Sequence, residues 1–207
     1  MIIAIDGTTS SGKGTLAKRL AAHLILPHLD TGLLYRAVAA SALAQGVDLK
    51  DEAACADLAK GINLADFDDH ALRSASIGAA ASIVASLGAV RHALFDLQRA
   101  FAQQKGGAVL DGRDIGTVIA PDADFKFWID ASVEERSRRR YVELSGMGEP
   151  VTPESVLAAL KERDARDAGR KDAPSKPADT AVHIDTTKLT PDETVAAALR
   201  AIAQHRL

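Results

Sequence analysis

The sequence predicts an α/β fold, a parallel five-stranded sheet flanked by helices, on three observations. Ile2, Ile3, Ala4 and Ile5 form a continuous apolar run, as expected of a strand covered on both faces. A glycine-rich turn follows at once and opens a helix that carries Leu16, Leu20 and Leu24 on one face. Further short apolar runs near 26–30, 108–110, 124–132 and 180–185 are separated by longer stretches of helical character. The chain of 207 residues has room for one such domain and a small insertion.

The first strand and its turn hold the sharpest motif. Gly7, Thr8, Thr9, Ser10, Ser11, Gly12, Lys13, Gly14 and Thr15 stand as GxxxxGKGT. The glycines let the chain turn back so that amide N–H groups converge on one point, a nest for a multiply charged anion at the start of a helix. Lys13 adds a compact positive charge able to reach terminal phosphates. A plain strand-to-helix turn is the alternative. Glycine spacing, lysine position, preceding strand and following helix together favour ATP phosphates. Gly14 stands where a Ser or Thr hydroxyl normally meets magnesium, and the GKGT form points to P-loop kinases of the kind that act on nucleoside monophosphates.

Composition narrows the field further. A formal charge of −3 gives no global attraction to nucleic acid or anionic membrane, so anion binding must come from local clusters. Cys55 is alone, which suits a reducing compartment. No signal peptide or apolar run of bilayer length is apparent, so a cytoplasmic monomer without membrane or nucleic-acid partners is the expectation. His23, His28, His70, His92, His183 and His205 are scattered without metal-binding spacing, and no structural metal is expected.

Taken in order, the second strand ends at Asp30, with Asp30 or Thr31 capping the next helix. Ligands gather at the carboxyl ends of parallel strands, which places Asp30, Thr31 and nearby Arg36 beside substrate. Arg36 is a lone basic residue among Leu33, Leu34, Tyr35, Ala37 and Val38. Residues 37–104 are alanine-rich and helical, interrupted by the polar stretch ADFDDH, which reads as a solvated turn. In AVLDGRDIG a short strand ends on an acid, a glycine, a base and an acid. Asp111 suits the water shell of magnesium, Arg113 a phosphate, and Asp114 an amino group; an internal Arg–Asp pair in a turn is the competing account.

DFKFWIDAS is another buried strand, and EERSRRR opens a helix after it. Arg136, Arg139 and Arg140 share a face by i, i+3, i+4 spacing. Like charges so placed repel unless an anion relieves them; Glu134 and Glu135 relieve part. The string reads as a solvated charged helix or as an arginine lid, with mobility lent by Ser145, Gly146 and Gly148. In KERDARDAGR, Arg163, Asp167 and Arg170 fall on one face, as surface ion pairs or as a second arginine device. A loop with Pro174 and Pro177, the strand TAVHID and a helix from about Pro191 complete the chain.

The segments IDGTTSSGKGT, LDTGLLYR, AAASIVAS, VRHAL, LDGRDIGT, EERSRRR and ERDARDAGR, in this order over nearly the full length, resemble the bacterial cytidylate kinases, which phosphorylate CMP and dCMP. The resemblance implies ATP with Mg2+ as donor, CMP or dCMP as acceptor, and roles that composition does not assign. It implies catalytic roles for Lys13, Arg113, Arg136, Arg139 and Arg140. It implies cytosine contacts for Thr31, Ser82, Arg91 and Asp114, monophosphate contacts for Arg36, Arg113 and Arg170, and pentose contacts for Arg163 with Asp167. The expected organisation is a single kinase domain over 1–207, with core 1–36 and 105–207, a lid at about 132–170 and a monophosphate-binding insertion at about 37–104. Only about ten residues separate Asn63 from Arg73, so the insertion is expected to be shortened and largely helical. The alternatives are a related small P-loop kinase for UMP, AMP or another small acceptor, and a nucleotide-binding module without phosphotransfer.

Overall fold

The structure, a computed structural model, describes residues 1–204; His205 of the histidine set lies outside them. Five parallel strands form one sheet in the order β2-β3-β1-β4-β5, as the apolar runs predict. They are β1 (Ile2–Gly7), β2 (His28–Asp30), β3 (Ala108–Gly112), β4 (Phe125–Asp130) and β5 (Val182–Asp185). Nine α-helices are found among the described residues. α1 (Lys13–Leu24) and α9 (Pro191–Gln204) cover one face of the sheet. The opposite face carries α2 (Thr31–Ala44), α3 (Glu52–Lys60), α5 (Ala75–Val84) and α6 (Gly88–Ala102). No single helix among the described residues is long and apolar enough to cross a membrane.

The unbroken apolar run of β1 follows from this layering. Ile3 and Ile5 pack with Leu16, Leu20, Val109, Phe127 and Ile202, while Ala4 packs with Leu34, Val38, Leu94 and Leu110. Both sets are buried, so neither parity of the strand can be polar. Each large aliphatic side chain so buried is worth about 1.5–3 kcal/mol relative to exposure.

Sheet register sets the site. Ile5 lies opposite Asp111, Asp6 opposite Gly112, Gly7 opposite Ile129, and Asp30 opposite Asp111, so four strand ends deliver their polar residues at one level. Two glycines make this approach possible. A Cβ on Gly7 would stand 2.0 Å from the Ile129 carbonyl oxygen, and one on Gly112 would stand 2.6 Å from Thr31 Oγ1.

The segment between β2 and β3 is helical, as expected from its composition. The ADFDDH stretch is largely exposed, as expected of a solvated turn, but it is more ordered than a plain turn: it divides between a 3₁₀ turn at Leu64–Asp66 and α4 (Asp69–Leu72), capped by the side chains of Asn63 and Asp68. The expected cap at Asp30 or Thr31 is also absent. Asp30 occupies the N-cap position of α2 without a side-chain cap bond, and it accepts from Arg73 Nη2 at 3.3 Å. Thr31 Oγ1 donates instead to the Asp111 carbonyl at 2.8 Å. Both polar groups are thereby turned toward the strand ends rather than spent on the helix.

Two further helices follow β4. α7 (Val133–Gly146) starts where Ser132 accepts from the Glu135 N–H, and α8 (Pro153–Ala168) starts in a capping box between Thr152 and Ser155 with Pro153 in its first turn. α8 ends at Ala168, so Arg170 lies beyond the helix rather than on its face.

The other end of α1 is strained. Leu26 N–H bonds the Ala21 carbonyl and Ile25 N–H the Ala22 carbonyl, a Schellman closure that leaves Ile25 left-handed at φ 54 and ψ 46. Ile25 is β-branched, which that conformation penalises, and at 91% exposure it gains almost nothing from burial. Ile25→Gly is expected to stabilise the protein by about 1 kcal/mol, read as a higher urea midpoint at unchanged m-value.

Candidate active site

The glycine-rich loop forms as its motif requires. Gly12, at φ 92, is the N-cap of α1, and no side chain caps that end, so the positive end of the helix opens onto a cleft lined by Gly12, Lys13, Gly14 and Thr15. The loop is braced from outside. Thr8 Oγ1 donates to Asp130 Oδ1 at 2.6 Å, Thr186 Oγ1 to the Ser11 carbonyl at 2.7 Å, and Arg136 Nη1 to the Thr9 carbonyl at 3.2 Å. Lys13 Nζ folds back onto the Thr8 carbonyl at 3.1 Å. Burial, reinforced by the neighbouring Arg113 charge, pushes its ammonium down to about 7.

The cleft, about 290 Å³, runs from this loop across the ends of β2 and β3 to α8. Of the residues singled out in the sequence it is lined by Thr9, Ser10, Gly12, Lys13, Gly14, Thr15, Asp30, Thr31, Arg36, Arg91, Asp111, Arg113, Asp114, Arg140, Arg163, Asp167 and Arg170. Gly7, Thr8, Ser11, Ser82, Arg136 and Arg139 lie outside the lining. Ser82 is buried, its Oγ accepting from Arg166 Nε at 3.2 Å.

The three arginines of α7 are used differently from one another, although their spacing suggested a common face. Arg136 is buried between the loop and the Asp164 carboxylate, 2.7 Å away. Arg139 holds the Ser11 carbonyl, Thr186 and Glu135. Arg140 alone reaches the cleft, where Nη2 donates to the carbonyls of Arg73 and Ser74 at 3.0 and 3.4 Å. Repulsion is thus relieved by carboxylates and backbone carbonyls rather than by solvent.

Across the cleft, Arg113 joins the two halves: Nη2 donates to Thr9 Oγ1 at 2.8 Å and Nε to Asp167 Oδ2 at 2.9 Å. Burial alone would raise Asp167, but Arg113, Arg170 and Arg163 together take it below its ordinary value. Arg163 is pushed down to about 9 by burial and by Arg113, and Arg36 to about 10 by burial and by Arg140. The buried Nε atoms of Arg163 and Arg170 have no hydrogen-bond partner. Such a crowd of desolvated cations costs free energy as it stands, and a multiply charged anion would relieve it. At the inner end, Arg91 pairs with Asp114 in a buried ion pair and lies 5.8 Å from the Tyr35 ring centroid.

Several site residues carried no sequence signal of their own. Asp6 is buried, accepts from the N–H groups of Ile115 and Gly116 at 2.8 and 2.7 Å, and is raised by burial to about 7. It anchors the turn that carries Arg113 and Asp114. His28 bonds Asp111, and strand alternation, which puts His28 and Asp30 on one face of β2, could have suggested it. Arg73 and Thr186 arrive from distant segments, and nothing local marks them.

Sequence relatives place the chain in a family. The sequence model of the family described as cytidylate kinase matches residues 3–204. A cytidylate kinase of Methylocella silvestris is 57% identical over 199 residues, covering 96% of this chain and 92% of its own. One from Xanthobacter autotrophicus is 56% identical over 206 residues, covering 100% and 99%. An uncharacterized protein from Eubacterium ventriosum, known from its crystal structure, shares the fold with a TM-score of 0.58 at 18% identity, covering 98% of each chain.

The state of Lys13 yields a measurable consequence. With its ammonium lowered to about 7 it is largely neutral at pH 8, and phosphates arriving beside it restore the charge. Binding of ATP in EDTA at pH 8 is expected to take up protons, seen by calorimetry in buffers of different ionisation enthalpy. Lys13→Met should lose most of that uptake.

Proposed function

The chain belongs to the cytidylate kinase family, and we propose that the loop Gly7–Thr15 binds ATP while the arginine-rich wall opposite it binds CMP or dCMP. The protein is a phosphotransferase that phosphorylates CMP and dCMP. The observation that carries the site assignment is Arg113, which bridges Thr9 of the donor loop and Asp167 of α8 amid cations whose charge is not fully met.

The acceptor phosphate is already an anion near neutral pH, so no general base is needed. The task is to bring two mutually repelling phosphates into line and to stabilise the charge that shifts between them. Lys13 and the open start of α1 face the donor. Arg36, Arg113 and Arg170 hold the acceptor phosphate, and Arg163 with Asp167 meets the pentose. Arg140 supplies a further charge from α7, while Arg136 and Arg139 act through the loop carbonyls they hold. Hydrogen bonds to charged groups are worth about 1.5–3 kcal/mol each, so several forming together carry a large part of the binding. Excluding water from the cleft strengthens all of them and limits hydrolysis.

Cytosine is read at the inner end. Asp114 accepts from the exocyclic amino group, Arg91 donates to ring acceptors, and Thr31 and Ser82 complete the edge contacts; a carboxylate paired with the cytosine amino group is favourable readout chemistry.

Magnesium accompanying ATP fits the residues present. A hard cation that keeps its waters needs one or two carboxylates. Asp111 Oδ2 lies 3.6 Å from where a Cβ on Gly14 would stand, so a carboxylate takes the place of the missing loop hydroxyl. Asp111 would hold the metal through water, and the metal would neutralise charge on the phosphates. The domain organisation follows: core 1–36 and 105–207, insertion 37–104, and a lid over about 132–170. One chain supplies all of these groups, which supports a monomer as the working unit. The lone free thiol, Cys55, suits the cytoplasm.

An acceptor screen with ATP and magnesium is expected to rank CMP and dCMP above UMP and AMP. Lys13→Ala should lower kcat by about 100-fold or more with the fold retained by circular dichroism. Asp114→Ala should narrow the CMP-to-UMP ratio of kcat/KM by about 10-fold or more, and an unchanged ratio would mean that the base is read elsewhere.

A further inference from the structure

We propose that His28 is a positioning residue that fixes the orientation of the Asp111 carboxylate so that its second oxygen faces the ATP-bound metal; this rests on the reading of Asp111 given above. His28 Nε2–H donates to Asp111 Oδ1 at 2.7 Å. The histidine side chain is only 16% exposed and its backbone is fixed in β2, paired with Val109. The Asp111 main chain is held separately, its carbonyl accepting from Thr31 Oγ1 and its residue paired with both Ile5 and Asp30.

What remains to Asp111 is rotation about its two side-chain bonds, and the last of them, which turns the carboxylate, has no sharp preference of its own. Its neighbours offer competing directions, since the Lys13 ammonium attracts it and the Asp30 carboxylate repels it. The bond to His28 removes the choice. It occupies Oδ1 and leaves Oδ2 directed at the Gly14 side of the cleft, where the loop lacks a hydroxyl. Carboxylates that serve a metal are commonly oriented by such an outer partner, and loss of the partner costs about 10–100-fold in metal affinity.

The test compares His28→Phe, which keeps a ring without a donor, His28→Gln, which keeps a donor, and Asp111→Asn. The Mn2+ affinity of the ATP-saturated protein is measured by water-proton relaxation, alongside KM for CMP. His28→Phe is expected to weaken Mn2+ binding about 10-fold with KM for CMP within about twofold of the parent, and His28→Gln to recover most of the loss. Equal losses in both histidine variants would assign the effect to packing and overturn the inference. If Asp111→Asn weakens Mn2+ binding and His28→Phe does not, the inference falls while the role of Asp111 stands. If Asp111→Asn has no effect, that reading falls and takes the inference with it.

Discussion

Positive charge held away from water is the constraint around which the rest of the structure is arranged. Lys13, Arg36 and Arg163 each sit below their ordinary pKa because burial and neighbouring cations disfavour their charge. Removing such groups from water costs several kcal/mol each unless partners compensate, and buried charges are seldom the cheapest way to stabilise a fold. A ligand that brings negative charge to the one cleft they share would compensate them.

The surrounding carboxylates divide the work. Asp164 and Glu135 neutralise Arg136 and Arg139, which then brace the loop through the carbonyls of Thr9 and Ser11. Asp167 holds Arg113 and Arg170 by hydrogen bonds and pairs with Arg163 at 3.9 Å, and one carboxylate cannot cancel three guanidinium charges. Asp6 does similar work on backbone alone: two N–H groups bind its carboxylate and fix the turn bearing Arg113 and Asp114. The glycine-rich loop and the turn bearing Arg113 and Asp114 are therefore tied to the same strand, because Asp6 immediately precedes Gly7.

Contacts between α7 and the helical insertion extend this coupling. Arg140 donates to the carbonyls of Arg73 and Ser74, and Glu149 accepts from the Ala75 N–H at 2.9 Å, just where α5 begins. Arg73 in turn reaches Asp30 at the end of β2. A chain of part-buried polar contacts thus joins α7 and the segment after it to the helical insertion and to the end of β2.

Much of this was legible in the amino-acid order. The layered sheet follows from the double-sided apolar character of β1, and the loop from glycines whose spacing and following lysine leave few other uses. The DGRD turn was legible for a similar reason, since its charges stand at the end of a strand. What the order of residues left open was who partners whom across long separations. The arginines of α7 look alike by local spacing, yet two brace the loop and one faces the cleft, because α8 and β5 bring Asp164 and Thr186 to the first two. His28, Arg73 and Thr186 acquire meaning only when sheet register and helix packing set them beside Asp111, Asp30 and Ser11. Sequence by itself determined the elements and their chemistry, because periodicity and turn geometry are local. Only the tertiary structure decided which charges are met and which are left waiting, because desolvation and pairing depend on neighbours tens of residues to more than a hundred residues away.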